Sequence, residues 1–172
     1  MGTLIGTQVY LRALEPTDLD FLYRLENDES IWELGDTRTP YSKFVLKQYL
    51  ENAHRSIYEA KQLRLTICKG DEQLGFIDLF DFDAIHKRAG VAIIIAEAKE
   101  RQKGYGAEAL RLLCDYAFSN FDLHQLYANI AEDNLASIKL FTSLGFEQAG
   151  VRRDWLYQNG SFKDQLLFQK IK

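Results

Sequence analysis

One short segment of the chain combines glycines, cationic side chains and a position at the start of a predicted helix. It consists of Arg101, Gln102, Lys103, Gly104, Tyr105 and Gly106, with Ala107 directly after it. Glycines at a helix N-terminus let backbone N–H groups approach a ligand closely, and these donors together with the helix dipole favour phosphate. Arg101 and Lys103 would add full positive charge. The segment therefore predicts a phosphate or pyrophosphate cradle. The alternative is an ordinary loop in which the glycines only allow the chain to turn.

Two nucleotide-binding patterns can be compared with this segment. A P-loop needs Lys and then Ser or Thr directly after its last glycine, whereas Ala107 and Glu108 follow here. The Rossmann pattern Gly-x-Gly-x-x-Ala is formally satisfied by residues 104–109. In that pattern the first glycine comes straight off a strand, but the polar residues 97–103 intervene here. A nucleoside triphosphate is disfavoured, and a dinucleotide-binding protein stays as the weaker alternative.

The elements that must position this segment follow from hydrophobic periodicity. The apolar run Ile93, Ile94 and Ile95 is typical of a central strand covered on both faces. Asn159-Gly160 indicates a tight hairpin near the end of the chain. We predict strands at residues 7–14, 63–69, 74–82, 89–96 and 126–131 and on both sides of that hairpin, and helices at residues 17–27, 42–57, 104–118 and 134–144. This order predicts an α/β fold with a single central mixed, mostly antiparallel sheet flanked by helices.

Bulk properties limit the classes of function. The 172 residues contain no linker-like run, so we expect one domain over residues 7–171. A net charge of −4 argues against broad binding to nucleic acid, which depends on Lys and Arg neutralising phosphates. No leader or apolar stretch of membrane-spanning length is present, so we expect a cytoplasmic protein with no membrane partner. Cys68 and Cys114 stand singly, which predicts buried reduced thiols and no metal site.

A strand, then Arg-x-x-Gly-x-Gly, then a helix resembles the acetyl-CoA motif of the GNAT acetyltransferase superfamily. A second stretch, from Asn134 through Ser137 to Phe141 and closing with Gly145-Phe146, is similar to that family's second cofactor motif. The similarity covers nearly the whole chain and is strongest to the RimJ/RimL-type and bacterial spermidine N-acetyltransferase branch. It implies a GNAT-like fold and an N-acetyltransferase with acetyl-CoA as cosubstrate.

The resemblance also implies how the cofactor lies. Pantetheine would run along Ile93, Ile94 and Ile95 like an added strand, and pyrophosphate would sit on residues 101–107. Asn134, Ser137 and Phe141 would complete the site from the second motif. In the family the amine attacks the thioester directly in a ternary complex, so the protein mainly positions the reactants and stabilises the developing oxyanion.

The residues that transfer protons are less well defined. Many family members protonate the leaving thiolate with a tyrosine of the second motif, but Phe141 occupies that position. Ser137 is therefore the candidate acid, with a solvated helix serine as the alternative. The base would be one of four carboxylates, Asp78, Asp81, Glu33 or Asp36, and we take Asp78 and Glu33 as the candidates. Acids at a surface are usually only solvated, which is the alternative for each of them.

The acceptor predicted by the resemblance is a primary amine, either on a polyamine-like small molecule or at a protein N-terminus. The sequence does not choose between them. Phe141 also leaves open a non-catalytic CoA-binding module, because it removes the usual acid. A homodimer, common in the family, is a further expectation.

Overall fold

The computed structural model describes residues 2–32, 34 and 37–172, and within them seven strands form one mixed sheet. The strands are β1 (Tyr10–Ala13), β2 (Leu63–Lys69), β3 (Glu72–Asp83), β4 (Arg88–Ile95), β5 (Gln125–Ala131), β6 (Glu147–Gln158) and β7 (Ser161–Ile171). Their order is β1-β2-β3-β4-β5-β7-β6. The β4–β5 pair is parallel, and the other five neighbouring pairs are antiparallel. The predicted fold class is confirmed.

Six α-helices accompany the sheet in the described residues. They are α1 (Leu19–Glu26), α2 (Glu29–Trp32), α3 (Lys43–Glu51), α4 (Ile57–Ala60), α5 (Tyr105–Asn120) and α6 (Leu135–Ser143). The single helix predicted over residues 42–57 was wrong, because α3 ends at Glu51 and a second N-cap follows. The Ser42 side chain accepts a hydrogen bond from the Val45 N–H, and Ser56 repeats this arrangement for α4.

The first strand is shorter than predicted, and the reason is a side chain from a distant helix. The prediction began at Thr7, but β1 begins at Tyr10. The backbone N–H groups of residues 7–9 donate to the Glu108 carboxylate instead of joining the sheet. A β-strand pattern alone cannot show that another part of the chain has engaged those donors.

Helices cover both faces of the sheet, so the core has two parts. The larger part packs α5 residues such as Leu110 and Leu113 against the sheet residues Ile67, Ile77 and Leu126. The smaller part is formed mainly by α1, α3 and the β3 residue Phe76; its buried members are Phe21, Leu22, Leu25, Ile31, Leu46 and Phe76. This two-sided arrangement places β3 and β4 between the helix layers.

Several local predictions are confirmed. Asn159 and Gly160 have φ angles of 51° and 81° and join β6 to β7 in a two-residue turn. Gly145, which follows the C-cap residue Leu144 of α6, has φ 83°. Cys68 and Cys114 are buried free thiols. None of the described helices is long and apolar enough to cross a membrane.

Candidate active site

The parallel strands β4 and β5 separate along their length. Among the described residues they pair at Arg88, Ala89 and Gly90 alone. Beyond that point β4 keeps its β3 neighbour, while β5 pairs with β7 along its whole length. Residues 91–94 therefore present a strand edge that has no strand partner among the described residues. The predicted cover of this strand on both faces is incomplete, since Ile93, Ile94 and Ile95 are each only half-buried. An extended ligand could enter the opening as an added strand.

The end of β4 is closed by the side chain of Arg101. Its Nε donates to the Ile95 carbonyl at 3.1 Å, and its NH2 group donates to the Ala96 carbonyl at 3.3 Å. Lys103 pairs with Glu100 at 3.2 Å. Both cations lie in the loop as predicted, but each already has a local partner.

The turn into α5 uses left-handed backbone twice, with φ 60° at Gln102 and 88° at Gly104, which is the N-cap residue. At Gly106 a Cβ would meet only the Ile93 and Leu140 side chains, each at an ordinary contact distance of 3.8 Å. Protein packing therefore does not require glycine at 106, and glycine is a poor helix former. Close approach of a ligand to the first turn would account for it, so the loop fits a pyrophosphate.

The neighbours of Gly106 show that the two predicted cofactor motifs lie side by side. Gly106 lies between Ile93 of β4 and Leu140 of α6. Tyr105 instead points into the core: it is 7% exposed, and its hydroxyl accepts a hydrogen bond from Lys69 Nζ at 2.7 Å, which raises the pKa of Lys69. Tyr105 and the half-buried Ala107 can therefore contribute to the cradle through the backbone of the first helical turn.

Helix α6 begins with the predicted N-cap. The Asn134 Oδ1 atom accepts a hydrogen bond from the Ser137 N–H at 3.2 Å. Ser137 is half-buried, and its hydroxyl has no hydrogen-bond partner in the described part of the chain. Phe141 is a core residue, 3% exposed, whose ring meets Phe146 edge-on at 5.0 Å. Of these residues, Ser137 therefore has a hydroxyl that is free to meet a ligand.

A cleft lies on the opposite face of the sheet, between the helices of the smaller core and the middle strands. It consists of two adjoining cavities of about 300 and 230 Å³ that share Glu26, Thr37 and Arg64. The second cavity reaches β4 at Ala92, Ile93 and Ile94. Four aromatic side chains line the cleft, Trp32, Tyr41, Tyr49 and Phe76.

Arg64 occupies the centre of this cleft and holds both of its described carboxylates. Its Nε and NH2 groups donate to the two Asp78 oxygens at 2.7 and 2.9 Å, and its NH1 group donates to Glu26 at 2.6 Å. Burial would lower the pKa of Arg64, but the charge and hydrogen bonds of Asp78 keep it above its ordinary value. Two carboxylates and one guanidinium leave a net negative charge, which suits a cationic ligand.

The predicted carboxylates have different outcomes. Asp78 lines the cleft as expected, yet its two oxygens bind Arg64. Asp81 is exposed beyond the cleft, with the Tyr127 hydroxyl at 3.4 Å. Glu33 and Asp36 lie outside the described residues.

Glu26 and Arg64 were not among the predicted site residues. Arg64 stands directly opposite Asp78 in the β2–β3 pair, so opposite charges at facing strand positions are the signal that could have found it. Reading that signal requires the register of the two strands. Glu26 lies 38 positions before Arg64 and carries no comparable signal.

With this geometry in place, the chain can be compared with known proteins. Residues 8–147 match the acetyltransferase (GNAT) domain family. The chain belongs to the GNAT acetyltransferase family. This GNAT protein is accordingly an N-acetyltransferase, and enzymes of its family use acetyl-CoA.

Its relatives include spermidine N(1)-acetyltransferases. The Vibrio cholerae protein is 29% identical over 161 residues, which cover 93% of this chain and 91% of the relative. The Escherichia coli K12 protein is 28% identical over 158 residues, covering 92% and 83%. Among solved structures, the Vibrio cholerae spermidine N-acetyltransferase in complex with CoA and spermine has a TM-score of 0.84 and 27% identity, with 96% of each chain covered.

Proposed function

We propose that this GNAT enzyme transfers acetyl from acetyl-CoA to a primary amine of a polyamine-like small molecule, with both substrates bound together. The observation that carries the proposal is the position of β4. One edge of its second half is unpaired, and the residues Ala92, Ile93 and Ile94 also line the net-negative cleft. An acyl group on one side of this strand and an amine in the cleft would be brought together.

The loop before α5 supports acetyl-CoA as the donor. Its left-handed turn, its glycine N-cap and a glycine at 106 that protein packing does not require suit a pyrophosphate at the N-terminus of a 16-residue helix. The unpaired edge of β4 offers main-chain hydrogen bonds to the pantetheine amides. The cofactor would supply an activated acyl group, while the chain holds it in place.

The cleft supports a small cationic acceptor. Glu26 and Asp78 attract an ammonium group, and only Arg64 opposes them among the described lining residues. Aromatic rings in the walls add favourable contacts to a cation and to methylene groups. The relatives named for spermidine point to the same class of substrate. A protein N-terminus stays as the second acceptor class that the resemblance implied.

In the reaction the N–C bond forms, the C–S bond breaks, and the amine loses a proton while the thiolate gains one. Ser137 is the candidate donor to the thiolate, because its hydroxyl has no hydrogen-bond partner among the described residues. The acceptor of the ammonium proton is a carboxylate or water. Asp78 would have to share its hydrogen bonds with Arg64 to act in this way, and Glu33 stays a candidate on sequence grounds.

Thiol release from acetyl-CoA, measured across spermidine, spermine, putrescine, amino acids, aminoglycosides and short peptides, tests the proposal. We expect the highest kcat/KM with a polyamine. Acetyl-CoA should also raise the melting temperature far more than NADH or ATP. Binding of acetyl-CoA without turnover on any amine would support a CoA-binding module, and a larger shift with NADH would support a dinucleotide-binding protein. Light scattering at several protein concentrations tests the predicted homodimer.

A further inference from the structure

The N-terminal segment is fastened to helix α5 by one carboxylate. Glu108, in the first turn of α5, accepts hydrogen bonds from the backbone N–H groups of Thr7, Gln8 and Val9 at 2.8 to 2.9 Å and from the Thr7 hydroxyl at 2.7 Å. Glu108 is 9% exposed. Burial would raise its pKa, but these donors lower it to about 2, so the group stays ionised in the native protein.

The segment wraps closely around this carboxylate. A Cβ built on Gly6 would come within 2.6 Å of Glu108 Cδ, which leaves no room for a side chain. The Gly6 N–H donates to the Val9 carbonyl at 2.9 Å and closes the turn. The backbone at Gln8 is therefore held one helical turn from the cradle.

The side chain of Gln8 extends toward the cradle itself. Its Nε2 atom lies 3.7 Å from the position that a Cβ on Gly104 would occupy. Gln8 is exposed, and its side-chain amide has no hydrogen-bond partner in the described parts of the chain. A free N–H donor thus borders the space that the absence of a side chain at Gly104 leaves open.

We propose that Gln8 binds the pyrophosphate of acetyl-CoA with its side-chain amide and that Glu108 is the positioning residue that holds Gln8 at the cradle; this rests on the proposed function. An amide donor adds to the backbone N–H groups at the start of α5 without the strong hydration of an ammonium. The Glu108 charge would otherwise oppose an anion in the first helical turn. Its hydrogen bonds to residues 7–9 direct that charge toward the N-terminal segment.

The test measures binding of CoA, which has the pyrophosphate, and of pantetheine, which lacks it, by calorimetry or by competitive inhibition. Gln8→Glu keeps the size of the side chain and places a negative charge at the cradle, so we expect CoA to bind about tenfold more weakly or worse. Gln8→Ala should weaken CoA about threefold. Neither variant should change the affinity for pantetheine or the melting temperature of the free protein.

The matched control is Gln148→Glu, which adds the same charge at an exposed position of β6, and it should leave CoA affinity unchanged. Unchanged CoA affinity in Gln8→Glu would overturn the proposal. An equal loss for CoA and pantetheine would also overturn it, because the effect would not then depend on the pyrophosphate.

The positioning role of Glu108 is tested with a double-mutant cycle on CoA affinity. Glu108→Gln should weaken CoA in the wild-type background and have little further effect in Gln8→Ala, although it lowers the melting temperature in both. Additive losses of affinity would show that Glu108 does not act through Gln8. If the wild-type protein binds neither CoA nor acetyl-CoA, the proposed function fails. If the wild type binds CoA and the Gln8 variants bind it equally well, only the role of Gln8 is rejected.

Discussion

The proposed cofactor side and the proposed acceptor side of this enzyme depend on different kinds of structural feature. Around the opening between β4 and β5, the features that suit acetyl-CoA are mainly backbone features, namely a strand edge without a strand partner among the described residues, positive φ angles and a glycine that packing does not require. In the cleft on the other face of the sheet, they are side chains. Arg64 there joins Asp78, 14 positions away, to Glu26, 38 positions away.

A site made of backbone and a site made of side chains respond differently to substitution. A backbone site depends on shape, so one added side chain can block it while the fold survives. A side-chain site depends on charges drawn from several elements, so each substitution alters both the site and the packing around it.

The largest expected effect follows from filling the cradle. Gly106→Val should weaken acetyl-CoA binding on the order of a thousandfold, because the new side chain occupies the space beside the first turn of α5. The protein should stay folded with a modest fall in melting temperature, because a Cβ at this position makes ordinary contacts at 3.8 Å and only the two γ-methyl groups need further space. Calorimetry with CoA and thermal unfolding measure the two quantities.

Gly150→Val on β6, where no described atom lies within 4 Å of a Cβ, is the control for the Gly106→Val variant. Normal CoA binding by Gly106→Val would place the cradle elsewhere.

The elements around the proposed cofactor site could be predicted from the sequence because their signals are local. Glycine spacing, a helix start and the Asn134 cap all lie within a few residues of the groups they organise. The same locality explains the error at the N-terminus. The donors of residues 7–9 are engaged by Glu108, about 100 positions away, and no local pattern reports such a bond.

The acceptor side could be predicted only in part. Asp78 was placed in the cleft because its strand borders it, but its pairing with Arg64 depends on the β2–β3 register. Glu26 enters the cleft from α1, and only tertiary packing brings it to Arg64. A sequence pattern can identify charged residues on each element, but it cannot show which charges neutralise one another.

The second prediction concerns the one polar side chain of the cofactor side that we expect to do chemistry. Ser137→Ala should lower kcat about a hundredfold with little change in acetyl-CoA affinity, because general acid catalysis typically contributes at least that much. Ser143→Ala is the control, since that hydroxyl lies on the same helix and donates to the Leu140 carbonyl. A Ser137→Ala enzyme with wild-type kcat and pH profile would leave water as the donor, and Ser137 would be a helix serine.

The third prediction concerns the hydrogen bonds between Glu108 and the distant residues 7–9. The pKa of Glu108 falls from 4.5 to about 2 on folding, so its contribution is present above pH 4.5 and is lost as the pH falls toward 2. We expect the ionised Glu108 carboxylate to contribute about 2 kcal/mol to the free energy of unfolding, or about thirtyfold in the folding equilibrium. Urea unfolding of wild type and Glu108→Gln between pH 6 and pH 2.5 measures it.

The difference in stability between wild type and Glu108→Gln should shrink as the solution becomes more acidic. Asp115→Asn is the control, because that carboxylate is exposed on the same helix. It should show a much smaller pH-dependent difference. A constant difference for Glu108→Gln over the whole range would mean that the carboxylate charge does not stabilise the N-terminal segment.

The smallest expected effect belongs to the acceptor side, where no single side chain holds the site alone. Glu26→Gln keeps a hydrogen-bond acceptor for Arg64 and removes one of the two negative charges of the cleft. We expect the KM for a polyamine to rise about tenfold, because the cation loses its attraction to one partly solvated carboxylate. The affinity for acetyl-CoA should stay unchanged. Glu29→Gln removes an equal charge from an exposed position that does not line either cavity, so it should leave both constants unchanged.

If the polyamine KM of Glu26→Gln matches wild type, the charge of the described cleft does not select the acceptor. Selection would then fall to Glu33 and its neighbours, and the contrast between a backbone-built and a charge-built side would not hold for the described residues.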